Sequence, residues 1–147
     1  MNYRQKNILK SYGRLVEGPV PYGTWSPHHP YKVILQKPLK GFKKAAIWNS
    51  AIFTWDDVMI ELVIPAGSTV ICGNPGDTKL RADAAKVVRI TNMKGTKNHK
   101  SAVAKGGKIF KYTVGKIARP TNVFDTNFVQ CSSGIHFFLH RRPAERY

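Results

Sequence analysis

The sequence predicts a small, mainly β domain, α+β at most, with an extended N-terminal arm over residues 1–40 and a β-rich body over residues 41–147. Three observations predict it. Short runs rich in Val, Ile, Phe and Tyr recur along the chain, each bounded by Gly, Pro, Asn or Ser, the pattern of strands joined by turns. The helices the sequence offers are one or two short ones, in residues 1–15 and 143–147. Residues 18–30 hold four prolines and two glycines, which exclude a continuous helix or a central strand there.

In chain order, residues 1–15 are basic and polar with scattered Ile8, Leu9, Tyr12 and Leu15, a short amphipathic helix interrupted by Gly13. In residues 18–30, Tyr22 and Trp25 are large apolar groups with no local cover. A spacer would not need them, so the arm is expected to dock on a partner through Tyr22, Trp25, His28 and His29. Residues 31–36 read as a strand ended by Pro38. Phe42, Ile47, Trp48, Ile52, Phe53 and Trp55 read as the start of the core. Residues 58–64 and 69–72 read as strands about the turn Pro65-Ala66-Gly67-Ser68. Residues 82–86 read as one helical turn, residues 86–91 as a strand, and residues 92–108 as a long exposed loop with three glycines. Residues 109–114 alternate as a strand does. Residues 135–139 read as a buried strand after the turn Ser132-Ser133-Gly134, and residues 143–147 as a short helix with Pro143 in its first turn.

Charge is the compositional outlier. The chain has 24 Lys plus Arg against 8 Asp plus Glu, a formal +16 over 147 residues, where a small domain more often carries about 2–8. Such a balance repels itself and points to a polyanion or an acidic protein as partner. From residue 79 to residue 119 there are twelve Lys or Arg and one acid, Asp83. Lys94, Lys97, Lys100, Lys105, Lys108 and Lys111 are the candidate polyanion contacts, with Lys116 beyond them. Lysine dominates, which suits charge attraction to phosphates better than bidentate reading of bases. The alternative for this segment is a solvated basic loop.

Other constellations are weaker. Two cysteines, Cys72 and Cys131, do not make a secreted disulfide framework. Cys131, His136 and Asp125 permit a nucleophile, base and orienter, yet three common residue types within a dozen positions favour a core histidine instead. Zinc at Cys72, Cys131, His136 and His140 would lack a Cys-x-x-Cys pair, so no metal or other cofactor is expected. Gly73-Asn74-Pro75-Gly76-Asp77 lacks the Lys-Ser or Lys-Thr of a phosphate loop and reads as a turn. Phe128, Cys131, Ile135, His136, Phe137 and Phe138 are expected in the core, with Cys131 a buried, quiet thiol beside Phe128 and Phe137. No signal peptide and no apolar run of membrane length are seen, so synthesis in a reducing compartment, the cytoplasm, without secretion is expected.

Gly41-Phe42-Lys43-Lys44, Ile60-Glu61-Leu62-Val63-Ile64-Pro65, Leu80-Arg81-Ala82-Asp83-Ala84-Ala85-Lys86-Val87 and Lys111-Tyr112-Thr113-Val114-Gly115-Lys116 follow in order. With Phe124-Asp125 and the more specific Cys131-Ser132-Ser133-Gly134-Ile135-His136-Phe137-Phe138, this series resembles a small domain of uncharacterised function found in large DNA viruses and bacteria, often beside pentapeptide repeats. The likeness covers about residues 41–147. Pentapeptide repeats are absent, and Arg141, Arg142 and Pro143 stand where an acidic helix start is commoner. The resemblance implies a viral origin and supplies no catalytic residues. The expectation is therefore a non-enzymatic minor capsid component, resident in the virion, bridging other capsid proteins through the arm and a basic surface. The alternative is a nucleic-acid-binding protein that contacts DNA phosphates non-specifically. A cysteine-dependent enzyme is the third class.

Overall fold

The computed structural model describes residues 3–19, 29–104 and 110–147. They form a mainly β single domain of two sheets with two short helices. The first sheet runs β1 (Gly13–Glu17), β2 (Tyr31–Leu35), β5 (Thr69–Cys72), β6 (Leu80–Ala82) and β12 (Ile135–Phe137), every neighbour antiparallel. The second runs β10 (Lys111–Thr113), β9 (Ser101–Val103), β3 (Leu39–Asn49), β4 (Thr54–Ile64), β7 (Ala85–Asn92) and β11 (Ile117–Ala118), with β8 (Asn98–His99) also paired to β7.

The hairpin of β3 and β4 is the spine of the second sheet. Its register holds from Leu39↔Ile64 to Asn49↔Thr54. Val58, Ile60, Leu62 and Ile64 alternate onto one face, and each is buried. They share one core with Val33, Leu35, Val70, Leu80 and Ile135 of the first sheet. Each such side chain contributes about 1.5–3 kcal/mol by leaving water. The opposite face of the hairpin carries Met59, which packs with Phe138 and with Ala144 of α2 (Arg141–Arg146). A bulge between Glu61 and Leu62 leaves Val88 of β7 without a partner and half exposed. Gly67 has φ +88° in the turn between β4 and β5, a conformation that favours glycine.

Three expectations differ from the structure. Residues 82–86 are not a helical turn. Ala82, Ala84 and Ala85 are buried where the chain leaves β6 for β7, and small side chains let it cross between the sheets there. The described parts of residues 1–40 do not form an arm with few contacts to the body. The helix α1 (Tyr3–Lys10) buries Leu9 completely, β1 pairs with β2 along its whole length, and β2 is an inner strand between β1 and β5. Ile8, Leu9, Tyr12 and Leu15, scattered in sequence, all meet the same core. Third, residues 92–104 are not one long loop but a turn followed by β8 and β9. Tyr22, Trp25, His28, Lys105 and Lys108 lie outside the described residues. Among those described, no helix is long and apolar enough to cross a membrane.

Candidate functional site

The segment before β12 has no strand of its own from residue 119 to residue 134. Two side chains hold it, Arg81 from outside the segment and Gln130 from within. Arg81, on β6, is only 1% exposed. Its Nε donates to the Val129 carbonyl (2.8 Å), Nη1 to that of Ser133 (3.0 Å) and also to that of Asp125, and Nη2 to that of Asn127 (2.6 Å). The ring of Phe124 lies 5.2 Å from the guanidinium carbon. Gln130 adds a second tie: its Oε1 accepts from the amides of Gly73 and Asn74, both at 3.0 Å, and its Nε2 donates to the Lys79 carbonyl (3.1 Å).

This arrangement sorts the candidate residues of the segment. Ile135, Phe137 and Phe138 are buried, while Phe128 and His136 are half-buried. Cys131 is exposed, contrary to the expectation of a core thiol. It lies on the outer side of the segment pinned by Arg81, so its neighbours in sequence do not enclose it. Cys72 is the buried cysteine; burial pushes its thiol up to about 11, and both cysteines are free. The Asp125 carboxylate accepts from Ser132 Oγ (2.5 Å) and the Asn127 amide (2.9 Å), and these two bonds hold it below the usual carboxylate range. His136 Nε2 donates to the Ser132 carbonyl (3.0 Å). Among the described residues, no hydrogen bond joins Cys131 to His136 or His136 to Asp125, and no three His, Cys, Asp or Glu side chains group as metal ligands.

Burial, then the charges of Lys79, Lys43 and Arg81, lower the His136 imidazole to about 4 against the bond to Ser132. A base lowered on folding loses stability as pH falls, because the unfolded chain takes the proton first. Between about pH 6.5 and pH 4 this group is expected to remove about 1–2 kcal/mol, after allowance for solvent screening of a half-exposed ring. His136→Gln keeps a donor for Ser132 and cannot titrate. Urea midpoints at pH 7 and pH 4.5 should fall further for the native chain than for H136Q. Equal falls would contradict the assignment.

The lysines are displayed on turns and short strands. Asn92 Oδ1 accepts from the amides of Thr96 (2.8 Å) and Lys97 (3.2 Å), and Gly95 takes φ +75°. That turn carries Lys94 and leads through Lys97 to β8. Lys94, Lys97, Lys100 and Lys111 are all exposed. His29 is exposed, with one ring nitrogen engaged by its own chain. Its Nδ1 donates to the Gly18 carbonyl (2.9 Å), and the Gly18 amide donates to the Pro30 carbonyl (2.7 Å), tying Gly18 to His29 and Pro30.

One surface was assigned to the core by its hydrophobicity alone. At the tip of the β3–β4 hairpin, Trp48, Ile52, Phe53 and Trp55 are 49%, 63%, 77% and 56% exposed. The turn is built by Asn49, which accepts from the Ala51 amide (3.1 Å) and donates to Asp56 (3.0 Å). Trp48 meets Trp55 edge to face at 5.3 Å and Phe53 at 6.4 Å. Phe53 stands at φ +54°, the one non-glycine in the left-handed region among the described residues. A strained backbone under an exposed ring is uncommon. Beside the tip lies a cavity of about 360 Å³, lined by Trp48, Asn49, Asp56, Asp57, Lys97 and His99 among others. The sequence signal for exposure is the polar turn Asn49-Ser50 set between the aromatics.

The chain belongs to a family of unknown function, DUF5758, whose model matches residues 30–144. No curated protein and no solved structure matches it.

Proposed function

We propose that this protein is a non-enzymatic structural adaptor, a minor capsid component of a large DNA virus that bridges larger shell proteins. The observation that carries the reading is the aromatic tip of the β3–β4 hairpin. Three rings and Ile52 stand in water on a well-formed turn, and exposed apolar clusters of this kind are commonly protein-binding sites. Aromatic anchors supply much of the energy of such contacts. The +16 charge supports an acidic partner surface. The resemblance to domains of large DNA viruses supports the setting. The tip is a docking element among the described residues, while the call on Tyr22, Trp25 and His28 lies outside them.

A second reading, non-specific binding of DNA phosphates, is favoured by the exposed Lys94, Lys97, Lys100 and Lys111. It requires affinity that falls linearly in log–log salt plots, with a slope flattened by neutralising these lysines.

The tip is tested by Phe53→Gly together with Trp48→Ser and Trp55→Ser. Glycine accepts the positive φ of residue 53, so Phe53→Gly alone should leave stability unchanged or raise it by about 1 kcal/mol. The triple variant should remain folded and lose recovery with purified particles. Normal recovery of a folded triple variant would refute docking through the tip, and a steep salt-dependent DNA affinity would then favour the second reading.

A further inference from the structure

The pairing of β4 stops at different places on its two sides. Toward β3 it runs on to Asn49↔Thr54, while toward β7 it ends at Val58↔Asn92. Past Asn92 the chain turns and comes back as β8, paired to Ile90 and Thr91. The projecting ribbon and this turn leave a step between them. The cavity of about 360 Å³ lies there, with Trp48, Ser50, Asp56, Asp57, Lys97 and His99 among its lining residues. Both walls are held from within. Asn49 bonds Ala51 and Asp56 on the ribbon. Asn92 bonds the Thr96 hydroxyl (2.9 Å) and the amides of Thr96 and Lys97 on the turn. Walls set before a ligand arrives lower the entropy lost on binding. The volume falls within the about 300–1,000 Å³ of small-molecule sites.

The lining narrows the ligand. Carboxylates and the Lys97 ammonium border the same space, so a small ion of either sign meets its own charge there. Asp56 already accepts from Asn49, and Asp57 lies 3.5 Å from Lys44. Hydrogen-bonding groups of both kinds are plentiful. Lys97 and Ser50 offer donors, and Asp56 and Ser50 offer acceptors, with the ring nitrogens of His99 beside them. The indole of Trp48 is 49% exposed and adds a flat apolar wall. An aromatic face is negative and attracts the weakly positive hydrogens of C–H groups. The ligand that answers this lining is neutral, carries several hydroxyls that both donate and accept, and has an apolar face.

We propose that this cavity binds a pyranose sugar, its C–H face against Trp48 and its hydroxyls toward Asp56, Lys97 and His99. A nucleotide would bring its phosphates up against Asp56 and Asp57, which a neutral sugar does not. The site goes beyond the docking reading and does not depend on it. Phe53, the most exposed ring of the tip, does not line the cavity.

Proton–nitrogen correlation spectra of the full chain test it, during titration with glucose, galactose, mannose and N-acetylglucosamine and with their methyl glycosides. At least one of these should shift the Trp48 indole N–H and the amides of Lys97 and His99 along a single saturable curve. Lys97→Met should weaken that binding at least about tenfold, the loss of one charge-assisted bond, and Trp48→Ala should weaken it as well. Lys94→Met, on the same turn but outside the lining, and Phe53→Gly should leave it unchanged. The free sugars and the glycosides separate the sources. Glycosides that bind as well as free sugars point to the end of a glycan chain, and free sugars alone to a monosaccharide. No saturation by about 100 mM, equal shifts with glycerol, or equal weakening by K94M and K97M overturns the proposal. A native chain that is recovered with particles yet binds no sugar overturns this site alone and leaves docking standing. Should Trp48→Ala fail to fold, K97M and the Trp48 indole decide it: an indole signal that moves with saturation supports the site, and an unmoved one overturns it.

Discussion

Arg81→Met is expected to lower the free energy of unfolding by about 4 kcal/mol. The substitution keeps the length of the side chain and removes its bonds to the carbonyls of Asp125, Asn127, Val129 and Ser133. Each carbonyl left without a partner costs about 1–3 kcal/mol where water cannot reach it, and less where the segment opens. The total is a large share of the 5–15 kcal/mol that holds a domain of this kind together. Arg81→Lys should rescue little, because one ammonium cannot reach four carbonyls spread around a planar fork. Urea unfolding measures the loss, and hydrogen exchange locates it: amides of residues 125–134 should exchange fast while those of residues 60–64 stay protected. A loss below about 1 kcal/mol would mean that Gln130 and the aromatic residues hold the segment without the arginine.

Deleting residues 1–17 is expected to remove on the order of 5 kcal/mol and leave a partly unfolded body. Leu9 is wholly buried, and Ile8, Tyr12 and Leu15 pack on the same core. Burial of one leucine is worth about 1.5–3 kcal/mol. Loss of β1 also removes one of the two neighbours of β2, along all of Tyr31 to Leu35, and turns an inner strand into an exposed edge. The ion pair of Lys6 with Glu17 adds little. Near-ultraviolet circular dichroism and thermal melting of the shortened chain are the measurements. A native-like spectrum with a melting point within a few degrees of the full chain would restore the picture of an independent arm.

The elements legible in the sequence are those whose fate is decided locally. β4 and β5 are runs rich in branched apolar residues separated by a proline–glycine turn, so residues 58–64 and 69–72 are readable as strands. The final helix is readable from Pro143. What escapes is decided at long range. Gly13 looks like a helix breaker, yet it starts a strand because its missing side chain admits Ile34: a Cβ there would sit 2.1 Å from the Ile34 carbonyl oxygen. Arg81 in Leu80-Arg81-Ala82 has the pattern of a solvent-facing position, and nothing nearby in sequence announces the carbonyls that surround it. Trp48, Phe53 and Trp55 have core composition, but the hairpin carries them past the edge of the other sheet. The exposure of Lys94, Lys97 and Lys100 follows from composition; the turn that presents them depends on the Asn92 side chain. Lys43 meets the His136 carbonyl only when β12 reaches β3.

That last junction has a consequence for how the molecule is made. Phe138 leaves the first sheet and exchanges both backbone bonds with Phe42 in the second, at 2.8 and 2.9 Å. The stitch joins positions near opposite ends of the body. It cannot form until residue 138 has emerged from the ribosome, by which time the β3–β4 hairpin has long been available to fold. Contacts of such sequence separation are closed against a large loop entropy and slow the final step. Through that interval the edge of β3 that will receive Phe138 stands unpaired, open to any other strand edge the nascent chain meets.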